Sequence, residues 1–382
     1  MNRRRFLKLL SFSAASTLVL DGLGKAPFGW AQTSVLDNLN ELLEPIRSSY
    51  GVPALAGAFI QEKSLVGLGA IGLRRLNNTE PVQTKDLFHL GSNTKSMTAT
   101  LCATLVETGN LQWETTIADV FPDSLNKIRP DYHKVTLVQL LSHQAGIVRD
   151  PGSQAIRQLP NGSSRIQRRA LVDVVLANGP INTPGSTYAY SNTGYMIAGA
   201  MAEQVADKSW ETLIQEGLFA PLGMTSAGFG APGVPGKTDE PWGHSPNGMR
   251  PVEPGPQADN PPIYGPAGTV HMSLSDWAKY ALVHLRGAQG ESNLLLKPES
   301  FQALHKDWFN QNYALGWGLA ARSWGNGPAL WHNGSNSLWY ALIWVAPRRN
   351  VAILTATNCV GANQEGSKAC DACVNAIVRK YL

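Results

Sequence analysis

The sequence predicts a mixed α/β fold of the α+β kind: an antiparallel sheet flanked by helices, with a helical lobe inserted between the two halves of the sheet. Three observations predict it. Strand-like runs sit at both ends of the chain, at 54–60 and 65–73 and again at 315–321, 338–345 and 351–357. Helical spacing of apolar residues fills the middle. A sheet drawn from both termini has to close across whatever lies between them, which makes the middle an inserted lobe. The 382 residues, 43% hydrophobic and 16% charged, suffice for a large core or two interlocked lobes.

Taken in order, 35–49 reads as a helix, with Leu36, Leu39, Leu42 and Leu43 on one face and Gly51 and Pro53 ending it. The strands at 54–60 and 65–73 are joined by the polar turn Gln61-Glu62-Lys63. A short apolar run ends at Gly91, and an amphipathic helix follows, with Met97, Leu101 and Leu105 at helical spacing and Gly109 at its C-terminal stop. A short helix is expected at 135–142, polar loop at 150–168, and helices at 169–177, 193–206 and 209–217. The stretch 228–268 is dense in Pro and Gly, which inside a domain suits an irregular binding wall. Helix returns at 275–286, and a last helix runs over about 366–381. The expected organisation is a leader at 1–31 and one domain at 32–382. Its sheet lobe takes roughly 32–90 and 300–382, and its helical lobe roughly 91–299.

Charge is concentrated at one end. Arg3, Arg4, Arg5, Lys8 and Lys25 stand against the single Asp21 in residues 1–31, so the leader holds the whole formal net charge of +4. The basic balance therefore gives no reason to expect nucleic-acid binding. Asn2-Arg3-Arg4-Arg5-Phe6-Leu7-Lys8 ahead of the apolar run 9–20 resembles a twin-arginine export signal. It implies delivery by the twin-arginine machinery to the periplasm or beyond. Gly29 and Ala31 offer small residues for cleavage before Gln32, and no stable membrane anchor is expected afterwards. Of the four cysteines, Cys102 falls within a helix as a core thiol. Cys359, Cys370 and Cys373 crowd the C-terminus, where an oxidising compartment would permit a bridge from Cys359 to one of the other two.

The chemistry centres on Ser92-Asn93-Thr94-Lys95. Ser92 lies at a helix mouth and Lys95 one turn on, on the same face. A serine hydroxyl needs a base beside it, and lysine serves only where burial and nearby positive charge lower its pKa. The spacing by itself is a weak signal, arising by chance about once or twice in a chain of this size. Ser124-Leu125-Asn126-Lys127 repeats it in polar, turn-like sequence read as a solvated surface loop. Two further stretches separate the copies. In Tyr190-Ser191-Asn192, a phenol and a carboxamide bracket a second helix mouth, suited to relaying a proton and to holding a lysine in register. In His332-Asn333-Gly334-Ser335, at a strand edge, the glycine admits substrate close to the backbone, and the Ser335 N–H can complete an oxyanion hole.

Together these stretches resemble the serine β-lactamase and penicillin-binding protein superfamily, in the branch of class C β-lactamases, D-stereospecific peptidases and related esterases. Secondary signatures agree: Val135 through Ile147, Pro221-Leu222-Gly223-Met224 and Gly265-Pro266-Ala267-Gly268. The resemblance implies a β-lactamase/transpeptidase-like fold with the active site between sheet and helical lobe. It makes Ser92 the acylated nucleophile, Lys95 its proton partner, Tyr190 a proton relay and Asn192 the residue that orients lysine and substrate. The Ser92 and Ser335 amides form the oxyanion hole. Tyr264 matches a substrate-side aromatic wall, and His143 caps its helix end. No metal or other cofactor is implied.

One element departs from the penicillin-recognising pattern. Lys-Thr-Gly is absent, and His332-x-Gly334 takes its place, so a permanent cation facing a substrate carboxylate is expected to be missing. The function expected is therefore an exported serine hydrolase of small-molecule or peptide esters and amides, of esterase or D-stereospecific peptidase type. Hydrolysis of β-lactam rings is one alternative. A non-catalytic module that binds cell-wall fragments is the other.

Overall fold

A computed structural model describes residues 36–292 and 295–382. The expected leader at 1–31 lies outside the described residues. Seven strands form the main sheet: β1 (Asp37–Asn38), β2 (Ala54–Gln61), β3 (Ser64–Gly72), β4 (Gly318–Arg322), β5 (Gly327–Ser335), β6 (Tyr340–Ala346) and β7 (Val351–Thr357). Their order is β1-β3-β2-β7-β6-β5-β4, antiparallel throughout except for the short β1–β3 pair. The seam between the two ends of the chain is β2 against β7, in register from Leu55↔Thr357 to Gln61↔Val351.

Side chains of the seam alternate between two cores, as period-2 geometry requires. Leu55, Phe59, Val351 and Ile353 point to the face covered by α1 (Asn40–Tyr50) and the C-terminal helix Glu365–Tyr381. Ala56, Ala58, Ala352 and Leu354 point to the other face, where the helix Leu274–Ala288 packs. That helix falls in the inserted part of the sequence but lies on the sheet. The α1 helix starts later than its apolar pattern suggests, because Asn38 Oδ1 accepts the Asn40 N–H (2.9 Å). Leu36 is left outside it, exposed.

A second, three-stranded sheet braces the site. The strand Val270–Ser273 pairs on one side with Leu87–His89 and on the other with Gly228–Phe229. Leu87–His89 leads through the turn Gly91–Asn93 into α2 (Thr94–Glu107), the central helix of the inserted lobe. This helix is buried on nearly every side, from Thr94 through Ala103, and is not amphipathic as expected. Its polar side chains turn back onto carbonyls: Thr94 Oγ1 donates to Gly91 O (2.7 Å) and Thr98 Oγ1 to Pro266 O (2.7 Å). Buried hydroxyls are tolerated because they are paired.

Two expectations are corrected. The 150–168 stretch contains the helix Ser153–Arg157 and the start of Ser164–Leu176, which Ser163 caps. Its polarity is misleading because Arg168 is fully buried, donating to Glu203 (2.6 Å) and Glu211 (2.8 Å). The second Ser-x-x-Lys copy is not a solvated loop either. Ser124 is buried in a 3-10 turn, bonded to Asp173 and Arg169, while Lys127 reaches Asp173 and not Ser124. The terminal cysteines are buried free thiols, and no bridge leaves Cys359. Among the described residues, no helix is long and apolar enough to cross a membrane.

Candidate active site

The turn into α2 builds the site. Leu90 N–H bonds to Val270 O (2.9 Å), which fixes the end of the preceding strand. Gly91–Asn93 then form a 3-10 turn ahead of the helix. Gly91 has φ 50, and a Cβ there would fall on the Ser335 nitrogen. A Cβ on Gly334 would fall on the Leu90 carbonyl oxygen and the Ser92 nitrogen. These two glycines let the end of β5 lie directly against Ser92, bringing the Ser92 and Ser335 backbone nitrogens to the same place.

Lys95 is completely buried. Its Nζ lies 3.0 Å from Ser92 Oγ and donates to Asn192 Oδ1 (2.7 Å) and Ala267 O (2.6 Å). Tyr190 approaches from the other side, its hydroxyl 2.8 Å from Ser92 Oγ. Ser191 caps α3 (Asn192–Ala206) through the Gly194 N–H (2.8 Å), which leaves Asn192 as the first helical residue with its side chain toward Lys95. The other end of that carboxamide, Nδ2, donates to Asp150 Oδ1 (2.7 Å).

Burial acts oppositely on the two groups flanking Ser92. It holds the Lys95 ammonium well below its ordinary pKa, with Asp150 opposing that shift and Arg149 adding to it. It pushes the Tyr190 phenol up, and the hydrogen bond to Ser92 offsets only part of that. A neutral amine and a neutral phenol are thus both favoured beside the hydroxyl. A neutral Lys95 has a lone pair to accept the Ser92 proton, and Tyr190 has a proton to give.

Ser92 lies between two cavities. One, of about 250 Å³, is walled by Asp150, Asn192, Tyr264, Gly268 and Ser335. The other, of about 300 Å³, is walled by Arg149, Tyr190, Asn333, Gly334 and Tyr340. Tyr264 is therefore in the cleft, its phenol raised to about 12 by burial and by Asp150. His143 lies below, with left-handed backbone (φ 61). Its Nδ1 accepts the Ser191 N–H (3.0 Å), and its ring packs 4.4 Å from that of Tyr190.

His332 departs from the expectation of a side chain facing substrate. It alternates inward on β5 and is only 4% exposed. Its Nδ1 donates to Asn333 O (2.6 Å), so Nε2 accepts the Tyr313 hydroxyl (3.0 Å). Burial and Lys95 lower its pKa to about 3. The expected lack of a permanent cation is also corrected. Arg149, 71% exposed and with its Nε 3.6 Å from Asp150 Oδ2, lines the 300 Å³ cavity and lies 5.1 Å from the Tyr190 ring centroid. Sequence reasoning missed Arg149 and Asp150. The only signal for them is their position directly after the turn at Gly146, in a loop that the Asn192 and Thr193 N–H groups clamp at Arg149 O.

Comparison with known proteins bears on the family and the fold. The profile of the family described as Beta-lactamase matches residues 39–372. The chain is similar to "Penicillin-binding protein 4" of Amycolatopsis lactamdurans, 27% identical over 327 residues that cover 83% of this chain and 84% of that one. It is also similar to "Unguisins hydrolase ungD'" of Aspergillus campestris, 24% identical over 344 residues, covering 83% of this chain but only 60% of the relative. In fold it matches the D-alanine carboxypeptidase AmpC of Burkholderia cenocepacia, with a TM-score of 0.70 and 19% identity over 88% of this chain and 97% of that one.

Proposed function

The chain belongs to the beta-lactamase family of serine hydrolases, and on that footing we propose that it cleaves an ester or amide through an acyl-enzyme formed on Ser92. The observation that carries this reading is the placement of Ser92 Oγ, 3.0 Å from Lys95 Nζ and 2.8 Å from the Tyr190 hydroxyl, at the junction of two cavities. Neutral Lys95 takes the hydroxyl proton as Oγ bonds to the carbonyl carbon. The oxyanion develops at the Ser92 and Ser335 amides, where preorganised N–H groups stabilise negative charge. Tyr190 delivers a proton to the departing nitrogen or oxygen and recovers one from Lys95. Water then attacks the acyl-enzyme, with the same groups working in reverse.

Esterase or peptidase-type substrates fit this reading. Hydrolysis of β-lactam rings is the second reading, and Arg149 favours it, because its guanidinium faces the cavity beside Tyr190 and offers a partner for a substrate carboxylate. Asn2-Arg3-Arg4-Arg5-Phe6 at the start of the chain supports export by the twin-arginine route to the periplasm.

The test is labelling with a fluorophosphonate followed by peptide mass mapping. A single adduct on the Ser92 peptide, absent from Ser92→Ala, is expected. A label elsewhere, or no label together with no turnover of any ester, amide or cephalosporin, rejects the reading.

A further inference from the structure

A cavity of about 630 Å³ lies beside the Ser92 cleft and not in it. Asn260 lines both, and Thr269 of this cavity directly follows Gly268 of the cleft, so the two spaces adjoin. Their chemistry differs. The cleft wall is polar, whereas here Phe229, Ala231, Pro256 and Pro261 supply an apolar lining. Such a space beside a nucleophile suits the arm of a substrate rather than its reacting bond.

The polar groups in that lining are biased in sign. Glu211 is at one side, and among the described residues no lysine or arginine lines the space. Arg168, behind Glu211, is already committed to Glu203, Glu211 and the Pro262 carbonyl. The second acid is Asp259, whose side chain is only 6% exposed. Its Oδ1 accepts the Asn260 N–H (2.7 Å) and Asn336 Nδ2 (2.9 Å). His89 Nε2 lies 3.0 Å from the same oxygen without hydrogen-bond alignment. The other oxygen, Oδ2, is buried, has no partner among the described residues and lies toward Gly230, on the cavity wall. A buried carboxylate oxygen left open is costly unless a donor meets it.

We propose that this cavity is a subsite for the acyl arm of the substrate, and that it takes an apolar chain carrying a protonated amine, which Asp259 receives. The proposal rests on the acyl-enzyme reading for its kinetic consequence, but binding tests it separately. A charge-assisted hydrogen bond at such a site corresponds to about ten- to a hundredfold in affinity.

The experiment compares 4-nitrophenyl esters of acetate, heptanoate, 6-aminohexanoate and adipate. The last three arms have similar length and end in a methyl, an ammonium and a carboxylate. The aminohexanoyl ester is expected to exceed the heptanoyl ester in kcat/KM by about tenfold or more, with the adipoyl ester lowest. Asp259→Asn should bring the aminohexanoyl value down to the heptanoyl one. Ala231→Phe, which fills the cavity, should lower both relative to acetate. Equal values for the aminohexanoyl and heptanoyl esters in the native protein, or an Asp259→Asn variant that moves every ester by the same factor, would overturn the proposal.

Calorimetry of hexylammonium with Ser92→Ala gives the readout independent of turnover. Binding that disappears when Asp259→Asn is added supports the subsite, and absence of binding overturns it. Hexylammonium binding in a protein that hydrolyses no ester would reject the acyl-enzyme and leave the subsite standing.

Discussion

The charges around Lys95 permit a test of its role through the pH dependence of turnover. Arg149 lowers the Lys95 pKa and Asp150 raises it. The Arg149 guanidinium and Lys95 Nζ lie 5.1 Å and 4.9 Å from the same Tyr190 ring centroid, so they stand at most about 10 Å apart. At about 10 Å, an effective dielectric of roughly 20–80 gives ~0.4–1.7 kcal/mol, or ~0.3–1.2 pKa units. Arg149 is mostly exposed, so solvent screening places the effect near the lower end. If neutral Lys95 is the base, kcat/KM rises with pH through the Lys95 pKa. Arg149→Gln removes a repelling charge, so that limb should move to higher pH. Asp150→Asn removes an attracting charge, so it should move to lower pH. The assay is kcat/KM for a neutral acetate ester between about pH 5 and 10, at low salt and at about 0.5 M, where both shifts should shrink. Shifts in the same direction, or an acidic limb indifferent to both substitutions, would refute Lys95 as the titrating base.

Other consequences can be checked more briefly. Ser124→Ala should leave labelling at Ser92 untouched but cost about 1 kcal/mol, read as a lower Tm, because it strips a buried partner from Asp173 and Arg169. Gly334→Ala should cut turnover by about a hundredfold or more with a smaller effect on Tm, since the added methyl displaces β5 from Ser92 at the oxyanion position. Carboxylate preference should show no His332-dependent rise between about pH 5.5 and 8, because burial keeps that ring neutral to about pH 3; the same preference measured in His332→Gln checks it. Buried neutral His332 and His271, the latter at about 4, favour the folded state above their unfolded pKa of ~6.5. That contribution should be lost as pH falls from there toward 3–4, and urea titrations across the range should record it.

Sequence alone determined the parts that depend on local patterns. Near-continuous apolar runs at 351–357 and 54–60 mark strands because each residue there must face one of two cores, and Val351–Thr357 emerges with those bounds. The turn at Gly91 and the capping serine at 191 are likewise written locally, which is why Ser92, Lys95, Tyr190 and Asn192 were legible before any fold was drawn. Patterns of polarity misled where long-range pairing overrides them. Arg168 and Ser124 look solvated but are buried, because Glu203, Glu211 and Asp173 reach them from distant segments. Tertiary structure alone decided which side of β5 His332 occupies, that Arg149 and Asp150 flank the lysine, and that an apolar cavity walled by Asp259, one of whose oxygens is buried without a partner among the described residues, adjoins the cleft. Each of these depends on how closely segments far apart in the chain approach, a distance set by the packing of the two cores and by two glycines, Gly91 and Gly334, that allow backbone to touch backbone.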